Sequence, residues 1–103
     1  MSSAAAVEAA SKWADPQDLH VGKTYRLSTE TPLMPELSPT DPMQALERVK
    51  QIGLGGTITV LKIGDKGGTP WYEVQAKQAD GVRLGRGWVN SIALLGQDIG
   101  VVK

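Results

Sequence analysis

The fold turns on WYEVQAKQADGVRLGRGWVNSIALL, residues 71–95. Residues 71–78 and 82–90 read as two strands, and Ala79-Asp80-Gly81 between them is a short glycine-containing link of the kind that closes a β-hairpin. Alternation puts Trp71, Glu73, Gln75 and Lys77 on one face and Tyr72, Val74 and Ala76 on the other. By the same parity Val82, Leu84 and Trp88 share a face, opposite Gly85, Gly87 and Val89. If Tyr72, Val74 and Val89 enter the core, Trp71 and Trp88 stand on the outer side. There they either serve a ligand or pack under a neighbouring segment. Ser91–Leu95 then reads as a tight turn into a last strand, and DIGVVK (98–103) as an added or extended edge.

Upstream, GGTITVLKIG (55–64) is a β-branched strand bounded by glycines, DKGGTP (65–70) is a turn, and VGKTYRLST supplies a first strand over 22–29. Short strands with turn signals close between them predict a small all-β barrel or sandwich. Between the first strand and Gly55 lies TPLMPELSPTDP, residues 31–42, with two P-x-x-P spacings at Pro32–Pro35 and Pro39–Pro42. Proline lacks an N–H and fixes φ, so the stretch is expected to form neither a strand interior nor a helix. It runs into DPMQALERVKQIG, where Asp41 is an N-cap, Pro42 the first helical residue, Gln44 the partner in a capping box and Gly53 the stop. Met43, Ala45, Leu46 and Val49 are expected to line one side of this helix. The prolines are therefore read as stiffening an enlarged loop, with the P-x-x-P spacing incidental.

Residues 2–14 are rich in Ala, with Asp15-Pro16 to stop a helix, and this segment is short for an isolated helix unless Val7 and Trp13 dock on the domain. The expected organisation is a helical or disordered lead-in over 1–20, a barrel over 21–96 and a tail or edge strand over 97–103.

Composition narrows the function. With 103 residues, 41% of them hydrophobic, the chain has the material for one small core. It has no cysteine, which removes disulfides, iron–sulfur clusters and thiolate zinc sites. No apolar run approaches the roughly 18 residues of a membrane span, so no membrane insertion is expected. The opening residues lack the basic and apolar regions of a signal peptide, so the chain either stays in the cytoplasm or has lost a leader and belongs to the envelope or the exterior. Net charge is zero, yet residues 1–47 carry seven acids against three bases and residues 48–103 four acids against eight bases. No run of like charge forms, which favours folded mixed faces over a nucleic-acid arm.

Catalytic motifs fail one by one. Gly22-Lys23-Thr24 has Gln17 where a phosphate loop needs its first glycine, and no helix follows it. IGLGGT (52–57) leads into a strand and not a helix, so it is no dinucleotide turn. His20 is the single histidine, with Asp15 and Asp18 nearby, too little for a built metal site or a triad. No catalytic residue, metal or cofactor is expected. Arg83, Arg86, Lys77 and Lys62 with the tryptophans could form a nucleic-acid patch, but the interspersed acids favour a solvated mixed face.

The same residues resemble the bacterial Src-homology-3 family. Its W-Y-x-V strand, D-G turn and G-W-V strand, followed by a short turn and a final apolar strand, have counterparts in Trp71, Tyr72, Val74, Asp80, Gly81, Gly87, Trp88, Val89 and Leu94. Gly56-Thr-Ile-Thr-Val-Leu resembles the family's glycine-led strand, and YRLSTETPLM its opening. The likeness covers about 21–96 and is strongest over 71–95. It implies a partly open five-stranded barrel, here with a short helix inserted in the long loop after the first strand. It also implies a non-catalytic module that binds a peptide or a peptidoglycan stem. The groove expected on that basis lies between the 30–42 loop and the 64–70 turn, with Tyr25, Trp71 and Trp88 for stacking and Glu30, Glu36 and Arg86 for charge. A structural domain contacting other subunits, and a nucleic-acid-binding barrel, are the alternatives.

Overall fold

The computed structural model describes residues 13–37 and 41–102; the Ala-rich segment with Val7, and Pro39, lie outside them. The elements are β1 (Thr24–Arg26), β2 (Thr31–Leu33), α1 (Pro42–Glu47), β3 (Lys50–Ile52), β4 (Thr57–Lys66), β5 (Thr69–Lys77), β6 (Arg83–Asn90), a 3-10 turn (Ser91–Leu94) and β7 (Gly100–Val102). The fold is all-β with this one short helix among the described residues. The main sheet is antiparallel in the order β6-β5-β4-β1-β7, and β2 and β3 form a separate ribbon.

The parity read for residues 71–77 and 85–90 holds, but the bulge at Leu84 breaks it further back. Leu84 packs against the core and does not share the outer face of Trp88, and Arg83, opposite Lys77, takes that face instead. Tyr72, Val74, Ala76 and Val89 are buried and meet Ile58 and Val60 of β4, Leu33, Ile52 and Leu94 in one core. Two bulges curve the sheet around that core, one at Leu61 on β4 and one at Leu84 on β6. The turn expected over 65–70 narrows to Gly67-Gly68, whose φ values of 63° and 84° suit a two-residue hairpin turn. Asp65 Oδ1 accepts the Gly68 N–H at 3.0 Å, and the strands run up to Lys66 and Thr69.

Several expectations need correction. The first strand is shorter than 22–29, because Leu27 leaves the ladder to exchange backbone hydrogen bonds with Gly55 and Gly56. The helix ends at Glu47 and not before Gly53, since Lys50–Ile52 pairs with Leu33–Thr31. Asp41 does cap it, its Oδ1 accepting the Gln44 N–H at 3.2 Å. The expected apolar stripe is absent from this six-residue helix: Ala45 is buried, while Met43 and Leu46 are 74% and 61% exposed. Trp13 is not helical either. It bridges Gly100, and Ala14 donates to the Ile99 carbonyl at 2.8 Å, so the lead-in docks by its backbone while the indole stays 56% exposed.

Pro32 lies inside β2, where a strand was not expected. The reason is directional. Met34, two residues on, donates to Trp88 O at 2.8 Å and accepts from Trp88 N at 2.7 Å, so residues of its parity face β6 and not β3. The missing N–H of Pro32 therefore falls on the β6 side and leaves the β2–β3 ladder whole. It also denies β2 a second pair with β6, and the chain bends at Pro35. The ribbon thus meets the main sheet through a single bridge, and the sheet is not closed.

Candidate functional site

That incomplete seam creates a cleft of about 410 Å³, lined by Leu33, Met34, Pro35, Glu47, Arg48, Val49, Lys50 and Arg86. β2 and its continuation supply one wall, the end of α1 and the start of β3 another, and the edge of β6 the third. The residues at the mouth are mostly basic. Arg48 Nη2 lies 3.5 Å from Glu36 Oε1, both side chains about half exposed, a pair of the kind that contributes little to stability. Lys50 Nζ donates to the Leu84 carbonyl at 3.0 Å. Arg86 is exposed and makes no side-chain hydrogen bond or ion pair among the described residues.

The groove expected between the 30–42 loop and the 64–70 turn is occupied by the protein itself. Gly64 has no Cβ, and one built there would lie 3.0 Å from Trp88 Cζ3 and 3.1 Å from Leu37 Cδ2. Leu37 and the Trp88 ring therefore both rest on this glycine. Lys66 Nζ donates to the Leu37 carbonyl at 3.3 Å and stands 5.9 Å from the centre of the Trp71 ring. The open cleft lies at the other end of the same loop segment.

Of the residues singled out from the sequence, the structure brings Arg86 to the lining of this cleft and Glu36 to its rim, against Arg48. Trp71 and Trp88 share the outer face of the β5–β6 hairpin as expected, each half-buried, with Leu37 and Trp88 both set over Gly64. Glu30 is exposed in the β1–β2 connection, beside Ser28 and Thr29, whose N–H groups both donate to Gln97 Oε1. Tyr25 is 2% exposed, with its hydroxyl accepting the His20 N–H at 2.9 Å, so its ring offers no stacking face. Arg48, Val49 and Lys50 were missed as site residues, because the sequence reading placed them on a helix. The spacing of Val49 and Ile52, three apart, suits a helix face, so no local pattern marked the strand.

Truncation of Leu37 tests the packing on Gly64. Leu37→Ala is expected to uncover the Trp88 indole, shift its fluorescence to the red and cost roughly 1 kcal/mol, since the leucine is only half-buried. Unchanged emission would mean that the indole is not sheltered by this residue.

A second cleft of about 480 Å³, with Trp13, Asp18, His20, Tyr25 and Val101 among its lining, opens where the described chain begins. On the outer face of the main sheet Lys62 stands opposite Glu73, so acids interrupt the basic residues there. Among the described residues no cluster of three or more potential metal ligands occurs, and no helix is long and apolar enough to cross a membrane. Comparison of the chain with protein-family models, with curated proteins and with solved structures finds no match.

Proposed function

We propose that this chain is a non-catalytic interaction module of the bacterial Src-homology-3 type, which holds an extended peptide in the seam cleft. The peptide of the cell wall is the source that the resemblance implies. Support for the barrel class comes from the strand order. A long central hairpin, a 3-10 turn and a final apolar strand paired with the first strand follow the order of the family's motifs. The observation that carries the binding reading is the cleft itself: an apolar wall of Leu33, Met34, Pro35 and Val49 under three cations. Apolar walls with a few converging polar groups are what a short peptide needs for area and orientation.

An amide NMR titration with solubilised peptidoglycan fragments, followed by short synthetic peptides, tests this reading. Saturable shifts are expected at residues 33–37, 47–50 and 84–88. Silence from a well-folded sample would overturn it in favour of an assembly domain, the reading that exposed Met43 and Leu46 support.

A further inference from the structure

The edge of β6 is incompletely used at the cleft. On the β5 side Trp88 stands opposite Glu73, yet its own N–H and C=O are bonded to Met34, so that pair is a non-hydrogen-bonded one. Alternation then directs the backbone groups of Arg86, two residues earlier, to the same side as those of Trp88 and away from β5. No partner takes them among the described residues. At the bulge beyond it, the Leu84 carbonyl turns the same way and is covered by Lys50 Nζ. Pro35 and the bend that follows carry the loop off before it can reach Arg86. An exposed run of unpaired strand edge is a template for another strand, and a lysine laid over it is a common way of blunting it.

Resting on the reading above, we infer that the cleft takes a carboxylate-bearing peptide as an added strand on β6. One peptide residue exchanges both backbone hydrogen bonds with Arg86, its neighbours lie on Met34, Pro35 and Val49, and an acidic side chain meets the Arg86 guanidinium. Charge complementarity selects this occupant: Arg48, Lys50 and Arg86 line the cleft with Glu47, Glu36 at the rim is taken up by Arg48, and the guanidinium of Arg86 has no partner among the described residues. A planar guanidinium takes a carboxylate through two parallel hydrogen bonds. Lys50 is the movable part, since an acidic ligand draws its ammonium off the Leu84 carbonyl and opens the edge further. Pairing stops at Trp88, where Met34 already holds both groups, so the site reads a short segment.

Amide exchange and titration of the labelled chain test this directly. In the free protein the Arg86 amide is expected to exchange fast and the Trp88 amide slowly. A protected Arg86 amide before any ligand is added would overturn the proposal. Three tetrapeptides are then compared: one with a central glutamate, its glutamine counterpart, and the glutamate peptide N-methylated at the amide that pairs with Arg86. The acidic peptide is expected to protect the Arg86 amide and to bind at least tenfold more tightly than either of the others. Arg86→Gln is expected to abolish the preference for glutamate, and Lys50→Gln to reduce it. Equal binding of all three peptides, or tight binding of wall fragments without any response to the acidic peptide, would sink the added-strand inference and leave the peptide-module reading standing. Silence with every peptide and fragment would overturn both.

Discussion

Gly87→Ala is expected to destabilise the protein by roughly 3 kcal/mol, the upper part of the range for overpacking a tight core. In a domain of this size that corresponds to a fall of roughly 12–24 °C in the unfolding midpoint. A Cβ at this position would lie 2.7 Å from Leu33 Cγ, 2.8 Å from Leu33 Cδ1 and 2.8 Å from the Met34 carbonyl oxygen. A leucine can change rotamer, but the carbonyl cannot easily retreat, because it accepts the Trp88 N–H at 2.7 Å. The substitution therefore presses on the single bridge that joins the ribbon to the main sheet. Gly81 makes the comparison clean: its φ is 92°, with nothing within 4 Å of a built Cβ, so alanine there incurs only backbone strain of about 1 kcal/mol. The two sites should couple. Leu33→Ala is itself costly in the core, but because it removes two of the three close contacts, Gly87→Ala is expected to cost less in the Leu33→Ala background than in the wild type. Equal midpoints for Gly81→Ala and Gly87→Ala would show that β2 does not press on β6 as described.

The need for glycine at 87 shows where the sequence is informative and where it is silent. Alternation over residues 71–90 sets Gly87 on the core side with Val89, because a long hairpin repeats its period often enough to be read. What stands over Gly87 depends on Leu33, far away along the chain, and no local pattern reports that. The same limit explains β3. The helix start was legible because Asp41 and Pro42 act on their immediate neighbours, but its end was not. Lys50–Ile52 is too short to show a period, and it becomes a strand only because Thr31–Leu33 lies alongside. Pro32 was excluded from a strand by a rule that ignores direction, whereas a ribbon with one partner tolerates the missing donor on its other side.

The candidate site was legible to the same depth. Arg86 and Trp88 follow from hairpin parity, and Glu36 from its place in the loop. The cleft itself depends on how the loop crosses the sheet, and that is decided by Gly64, Leu37 and Trp88 packing together. Tyr25 was misplaced for the reason that hid β3, since a three-residue strand gives parity no purchase. Glutamine hubs leave no trace in a sequence. Gln97 takes the N–H groups of Ser28 and Thr29 and donates to Thr31 Oγ1 and Ala93 O. Gln78 likewise accepts from Gly53 N and donates to Gln51 O.

Tyr72→Phe is expected to cost roughly 1–3 kcal/mol, the range for leaving a buried polar group unsatisfied. The Tyr72 hydroxyl accepts the Leu19 N–H at 3.2 Å and donates to the Pro16 carbonyl at 2.9 Å, and Leu19 is 1% exposed. Phenylalanine fills the same space but strands that N–H inside the core, so the loss falls on the segment before β1 and not on the sheet. The hydroxyl also makes stability depend on alkaline pH. Burial raises the Tyr72 pKa above its ordinary 10.0; the Leu19 hydrogen bond opposes this, while the charges of Asp18 and Asp15 and Tyr25 add to it. Because the folded state holds the proton more tightly, the contribution is fully present below the unfolded value near 10 and is lost as pH rises through the higher folded value. Midpoints measured from about pH 8 to pH 11 should thus fall more steeply above about pH 10 for the wild type than for Tyr72→Phe, whose midpoint starts lower. Parallel curves would mean that the phenol titrates alike in both states and is not held between Leu19 and Pro16. Convergence of the two curves at high pH would tie the latch of residues 16–20 to this one proton.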